Sequence, residues 1–338
     1  MRSLVRVRRF IILALLVPLV IQGCGSQKAA PEAETLKQIR VAYELGVDFG
    51  KIPSLLAWER MPDYGYEVVP KFYADATSAI QAVIRGDADV GAGDPVAVIN
   101  ANTAGQSLRI FGIQNGIQYA LIAPVSITDP AQLQGKRVAY HSPSSMTRAL
   151  AMLAADKFGF QPEWMVMQGS EVRAEALLSG QIDATVIDYE NVGVVQAARP
   201  GEYHVLISFA EEFPGLMGNS FFASSDYINA NSDAVDAMVE AMVLTYRRVN
   251  EDPEFLFNQV PKFIPGTEQP EEADRIHKLI DDLVAYHVWD SNGGFSQEAA
   301  EKTVALYVEI GDLAQSMPFD QYGVIDPANR VLDKVGRR

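Results

Sequence analysis

The chain has 338 residues, 48% hydrophobic and 21% charged, which is apolar material and length enough for two cores of ordinary size. Acidic residues number 43 against 28 basic ones, a formal charge of -15, so nucleic-acid phosphates would be repelled and no nucleic-acid partner is expected. Cys24 is the only cysteine, which excludes a disulfide framework and a thiolate metal cluster.

Taken in order, the chain opens on Arg2, Arg6, Arg8 and Arg9, followed by an apolar run from Phe10 to Ile21. That run is too short to span a bilayer as a stable helix but suits an export signal. It ends at Ile21-Gln22-Gly23-Cys24, which resembles the bacterial lipobox, where a small residue precedes a cysteine that is lipidated and becomes the new N-terminus. Residues 1–23 are therefore expected to be a lipoprotein signal peptide, Cys24 the lipidated residue, and 24–36 a polar tether. Loss of the signal would remove four arginines and no acid, taking the formal charge to -19. The mature protein is then expected to be exported and lipid-anchored at the outer face of the cell membrane or on its periplasmic side.

Past the tether, Ile39 to Tyr43 reads as a strand and Gly46 to Gly50 as a glycine-flanked loop. Ile52, Leu55, Leu56 and Met61 trace a helix, and Tyr66 to Phe72 alternates as a strand. Asp75-Ala76-Thr77 begins a helix carrying Ile80, Val83 and Ile84 on one stripe; Gly86 stops it, and Ala88 to Ala92 is a short buried strand. Gly91 and Gly93 then read as an open-backboned turn, with Asp94 as the cap and Pro95 as the first residue of a new helix. This β-loop-α-β-α-β pattern favours a largely parallel sheet with helices on both faces. Leu108 to Gly112 is a further strand, and Tyr119 to Pro124 is extended and expected to cross to a second lobe.

A second series follows: a strand to Tyr140, the loop His141 to Ser145, a helix to Phe158, a strand at Trp164 to Met167, and another at Tyr203 to Ile207. Within it, Leu177-Leu178-Ser179-Gly180-Gln181-Ile182-Asp183-Ala184 repeats the helix, glycine stop and X-Asp-Ala logic of Ile84 to Val90, leading to a polar turn at Asp188 to Asn191. Asn219 to Ala223 is expected to cross back, and the chain from Ser232 is mainly helical, with Val235, Met238, Val239, Met242, Val243 and Tyr246 on one stripe.

The order of an opening strand and glycine loop, Ile84-Arg85-Gly86-Asp87-Ala88-Asp89-Val90, and Leu133-Gln134-Gly135-Lys136-Arg137-Val138-Ala139 resembles the solute-binding proteins of the NMT1/THI5-like, sulfonate, nitrate and taurine group. The resemblance covers residues 36 to 330. It implies an α/β, type II periplasmic-binding-protein fold, two lobes joined by crossing strands with a ligand clamped between them, and delivery to an ABC permease and its ATPase by a monomer. On that reading 37–122 and 224–338 form a discontinuous first lobe and 123–223 the second.

Catalytic chemistry finds few residues to use. Gly91-X-Gly93 lacks the third glycine of a dinucleotide fingerprint, where Val96 stands instead, and no acid follows at ribose distance. His141, His204, His277 and His287 show no metal-ligand spacing, and no serine lies in a nucleophile elbow. Neither cofactor nor metal is expected. Enzymes of pyrimidine synthesis and menaquinone pathways share the resembled fold, but an export signal does not suit them.

Binding residues are expected in loops at strand C-termini. These carry Tyr43, Asp48, Phe49, Tyr73, Asp75, Thr77 and Asp94 from the first lobe, and His141, Ser144, Ser145, Asp188, Tyr189 and Glu190 from the second, with Tyr119 and Asn219 near the crossings. Aromatics and carboxylates dominate, with Lys51 and Arg148 as the nearby cations. A small oxyanion would want buried Arg or Lys, whereas aromatic walls and carboxylate acceptors suit a flat heterocycle with N–H or O–H donors. Within the resembled group this favours riboflavin, then a thiamine-type pyrimidine precursor, over sulfonate, taurine or nitrate.

Overall fold

The computed structural model describes residues 35–143 and 145–338; Cys24, the expected signal peptide and Ser144 lie outside the described residues. Strand β1 (Lys37–Glu44) leads to α1 (Ile52–Trp58), β2 (Tyr66–Tyr73), α2 (Ala76–Ile84), β3 (Val90–Gly93), α3 (Pro95–Thr103) and β4 (Leu108–Ile113). A second series comprises β5 (Tyr119–Pro124), β6 (Arg137–Tyr140), α4 (Met146–Phe158), β7 (Glu163–Val166), α5 (Ser170–Leu178), β8 (Ala184–Asp188), α6 (Tyr189–Ala198), β9 (Tyr203–Ser208) and α7 (Phe209–Glu212). After β10 (Ser220–Ser224) come α8 (Ser225–Ala230), α9 (Ser232–Glu251), α10 (Pro253–Phe257), α11 (Val260–Phe263), α12 (Ala273–Ala285), α13 (Gln297–Glu309) and α14 (Asp326–Val335).

The strands form two five-stranded sheets, ordered β2-β1-β3-β10-β4 and β7-β6-β8-β5-β9. In the first, β1 pairs in parallel with β2 and β3, while β10 lies antiparallel between β3 and β4. The second repeats this, with β6 parallel to β7 and β8 and β5 antiparallel between β8 and β9. The largely parallel sheet expected from the sequence is thus a mixed one. Its odd strand is the one that enters from, or returns from, the other half, and a direct crossing delivers that strand in the opposite sense without a helical return. The sheets part within residues 114–118, and the expected boundary at 122 falls inside β5, whose partners both belong to the second sheet.

The same local chemistry builds both halves. Arg-Val-Ala-Tyr occurs at 40–43 and again at 137–140, within β1 and as the whole of β6, the parallel strands flanked by parallel neighbours on both sides. The Arg40 guanidinium and backbone N–H donate to Asp89 at 2.6–3.0 Å, and Arg137 makes the matching bonds to Asp183 at 2.8–3.0 Å. Gly86 and Gly180, at φ 75° and 72°, end α2 and α5 in the left-handed region that favours glycine, and three residues later each chain delivers its aspartate to the neighbouring strand. The X-Asp-Ala echo therefore works as a staple between strands.

Gly91 and Gly93 lie in β3 itself, so the open turn expected there is strand, for a packing reason. A Cβ at Gly91 would stand 2.2 Å from the Phe222 ring of β10. On the other side of the first sheet α9 buries Val235, Met238, Val239, Met242, Val243 and Tyr246 as the 3.6-residue stripe requires, each such side chain contributing roughly 1.5–3 kcal/mol. The helices after 224 do not stay with that sheet alone. Helix α12 packs on α6, and Leu306 and Ile310 join the core around β5, β6 and β8.

Candidate functional site

Strand C-termini and helix N-termini from both sheets converge on one cavity of about 600 Å³. Parallel strands place all their following loops at one edge, and the two halves turn those edges toward each other. The first half contributes Glu44 to Phe49 after β1, Asp75 to Thr77 at the start of α2, and Asp94 after β3. From the second come His141, Ser142 and Ser145 to Thr147 after β6, Gly169 to Glu171 and Arg173 on α5, and Asp188 to Asn191 after β8. Gln118, Tyr119 and Asn219 enter from the crossing segments, and Leu279 and Leu283 of α12 add an apolar patch.

Of the residues singled out from the sequence, the fold brings together Asp48, Phe49, Asp75, Thr77, Asp94, Tyr119, His141, Ser145, Asp188, Tyr189, Glu190 and Asn219. Tyr43 does not reach the cavity. It is fully buried, its hydroxyl taking the Trp58 indole N–H at 2.6 Å and facing Ser54 at 3.1 Å. Tyr73 also stands aside, at the end of edge strand β2, packed on apolar side chains with the Lys71 ammonium 5.1 Å from its ring centre. Lys51 is buried but spent on the Asp48 carboxylate, and Arg148 pairs with Asp312.

Several of these side chains hold backbone as well as line space. Asp48, Asp75, Asp94, Ser145 and Asp188 each accept an N–H of the turn that they cap, satisfying donors that a helix start leaves free. His141 accepts the Gly169 N–H at Nδ1, 3.1 Å away, which leaves its other ring nitrogen as the donor; burial and then Arg173 hold its pKa below the ordinary histidine value. Tyr189 is buried, its ring stacked on Tyr286 at 4.8 Å and its hydroxyl 2.9 Å from Ser208, so much of that ring joins α6 to the segment after α12.

Sequence reasoning missed Glu44, Leu45, Gln118 and Arg173. Glu44 lies against Gly93, where a Cβ would come within 2.9 Å of its carboxylate. Leu45 has φ 58°, rare for a residue with a branched side chain, and is 46% exposed at the cavity. Arg173 is almost wholly buried, donating to the carbonyls of Met167, Gly169 and Val186 and to the Ser170 hydroxyl. Its partners come from two separate stretches of chain, 167–170 and Val186, which its own segment does not reveal.

The electrostatics of the cavity are acidic. Seven carboxylates line it against the single arginine Arg173. Burial, then Asp94, pushes the Glu44 carboxyl up to about 7; burial, then Asp188 and Asp48, pushes Glu190 up to about 7; burial alone raises Asp94 to about 6 despite its bond from the Val96 N–H. Burial also raises Tyr119, whose hydroxyl faces Asp188, Asp48 and Glu44 and so stays a neutral donor. Among the described residues no cluster of histidine and acidic groups could hold a metal ion, and no helix is long and apolar enough to cross a membrane.

Two mixed α/β sheets facing each other across a lined cleft define a periplasmic-binding-protein fold. Solved structures with the same architecture include the periplasmic sulfonate-binding protein SsuA from Methylobacillus flagellatus, 18% identical over 89% of this chain and 96% of that one, with a TM-score of 0.69. The periplasmic nitrate-binding protein NrtA from Synechocystis is 12% identical over 89% of each chain, TM-score 0.69. A Candida albicans protein described as having the generic periplasmic binding protein fold is 15% identical over 88% of this chain and 95% of that one, TM-score 0.61. The chain belongs to the NMT1/THI5-like family, which matches residues 63–255, more than half of its length. No curated protein matches it by sequence.

Proposed function

We propose that the protein is the solute receptor of an ABC importer, acting by binding and release rather than by catalysis, with a small heteroaromatic vitamin or precursor as its ligand. The observation that carries the ligand class is the lining itself: seven carboxylates, with Phe49, Tyr119 and Tyr189, around a cavity of about 600 Å³, a size ordinary for a small organic ligand. Rings offer stacking faces, and carboxylates accept N–H and O–H donors. Riboflavin and an aminopyrimidine both satisfy that description. Family membership and the likeness to periplasmic sulfonate- and nitrate-binding proteins support the transport role. Anchorage through Cys24 and export belong to the same proposal.

A second reading, an oxyanion such as a sulfonate or nitrate, is favoured by those neighbours' names and by Arg173 with the α5 N-terminus, which has no side-chain cap. It has one buried cation to work with, and four of that guanidinium's N–H donors are already committed within the protein. A thermal-shift screen of the purified protein against riboflavin, aminopyrimidines, taurine, alkylsulfonates and nitrate separates the two, because stabilisation grows with ligand excess over its dissociation constant. Heterocycles are expected to raise Tm by several degrees. A rise with sulfonate or nitrate alone would replace the first reading by the second, and no rise with any small solute would count against the receptor role.

A further inference from the structure

Four of the seven cavity carboxylates, Asp48, Asp75, Asp94 and Asp188, cap helical turns, whose partial positive charge offsets them. Glu44, Glu171 and Glu190 cap nothing, and of these Glu44 and Glu190 come from opposite halves: Glu44 from the end of β1, Glu190 from the first turn of α6. Facing Glu44 are Asp94, Lys51 and Asp48; facing Glu190 are Asp188, Asp48 and Arg275. Both nearby cations have other partners, Lys51 in Asp48 and Arg275 in Glu272. An independent feature lies between the halves. Gln118, on the crossing segment, is only 7% exposed and lines the cavity, yet its side-chain amide has no hydrogen-bond partner among the described residues. Its amide atoms are not fully enclosed, so the open cavity serves them in the free protein, and a ligand that fills the cavity has to supply their partners instead.

We propose that the ligand carries a protonated nitrogen, an amine or amidine on or beside its ring, received between the Glu44 and Glu190 carboxylates with the Gln118 amide as a third, neutral partner. The inference rests on the reading of this cavity as the ligand site. A cation there supplies charge-assisted hydrogen bonds to both halves at once and so favours the arrangement in which they face each other. It also replaces the protons that burial leaves on the two glutamates near neutrality, so binding releases protons and affinity rises with pH through that range. A sulfonate or nitrate would need those same protons as donors, and its affinity would fall with pH instead.

Titration calorimetry of the wild-type protein with benzamidine, agmatine, a 5-aminomethylpyrimidine, riboflavin, taurine and nitrate, at about pH 6 and about pH 8 and in buffers of different ionisation heat, tests the sign directly. The expected result is binding of at least one cationic probe, tighter at the higher pH, with proton release. Glu44→Gln and Glu190→Gln are each expected to weaken that probe about tenfold or more, the usual loss for a charge-assisted hydrogen bond. Circular dichroism and retained Tm establish that the variants fold. Riboflavin binding with none from the cations overturns the inference but leaves the heteroaromatic reading in place. Oxyanion binding with proton uptake overturns both while sparing the receptor role, and a native protein that binds no cationic probe at about pH 8 overturns the inference as well.

Discussion

Leu45 is held at φ 58° next to Glu44, with its side chain half in solvent and facing the cavity. That backbone conformation costs an ordinary L-residue roughly 1–2 kcal/mol, and the side chain recovers little by burial in the free protein. Leu45→Gly removes the strain but adds chain entropy to the unfolded state, so stability is expected to stay within about 0.5 kcal/mol of wild type by urea denaturation. Affinity for the ligand is expected to fall severalfold by calorimetry, since the exposed apolar side chain is lost from the wall. Glu44 gives a second expectation. Its folded pKa, about 7, stands above the ordinary value of 4.5, so the native state binds more protons between those limits and stability falls as pH rises through that window, then levels off. Thermal melts of the ligand-free protein should show this decline, and Glu44→Gln, which has no charge to bury, should flatten it and gain about 1–2 kcal/mol above neutrality.

Among the elements, Gly91 shows what a glycine in a strand can mean. Its missing side chain is the space that the Phe222 ring occupies, so Gly91→Ala is expected to cost about 1–3 kcal/mol through overpacking, read as a lower urea midpoint with unchanged slope. From the sequence, Gly91 and Gly93 were equally compatible with a turn, because the partner that explains Gly91 lies 131 residues away on β10. The helices, the glycine stops and the strand-end loops were legible, since each depends on neighbours within a few residues: Asp75 before Ala76, Gly86 after Ile84, Asp188 before Tyr189. Tyr43 was misplaced for the opposite reason. A tyrosine at a strand end suits a binding site equally well, and only the indole of Trp58 and the hydroxyl of Ser54 bring it inside. Arg173 and Gln118 were invisible because nothing in their own segments says what surrounds them.

For the whole molecule, the segments after 224 hold the second-sheet half at identifiable places, Tyr286 on Tyr189 and Asp312 on Arg148, and the Phe49 backbone N–H faces Glu190 from the first-sheet half. A ligand that binds both halves shifts an open-to-closed equilibrium only by its extra affinity for the closed state. Small-angle scattering is expected to show a smaller radius of gyration at ligand saturation, and an unchanged profile would count against a hinge. Tyr286→Ala removes a stack worth about 0.5–1.5 kcal/mol beyond its buried area while leaving the cavity lining intact. It should weaken affinity mainly through faster dissociation, measurable by stopped-flow.

The insertion of β10 between β3 and β4 has a kinetic consequence. Until residues 220–224 arrive, β3 and β4 have no strand between them, and the first sheet cannot be completed, although its other four strands lie within the first 113 residues. The second sheet is drawn from one continuous run, 119 to 208, and waits for nothing downstream. A chain emerging from its N-terminus therefore acquires its second sheet before it can finish its first, and the late, long-range pairing makes refolding slow. Pulse-labelled hydrogen exchange during refolding should find amides of β5, β6 and β8 protected ahead of those of β3 and β4. The half made first stays unfinished longest, a state that would keep the chain threadable during the export proposed for it.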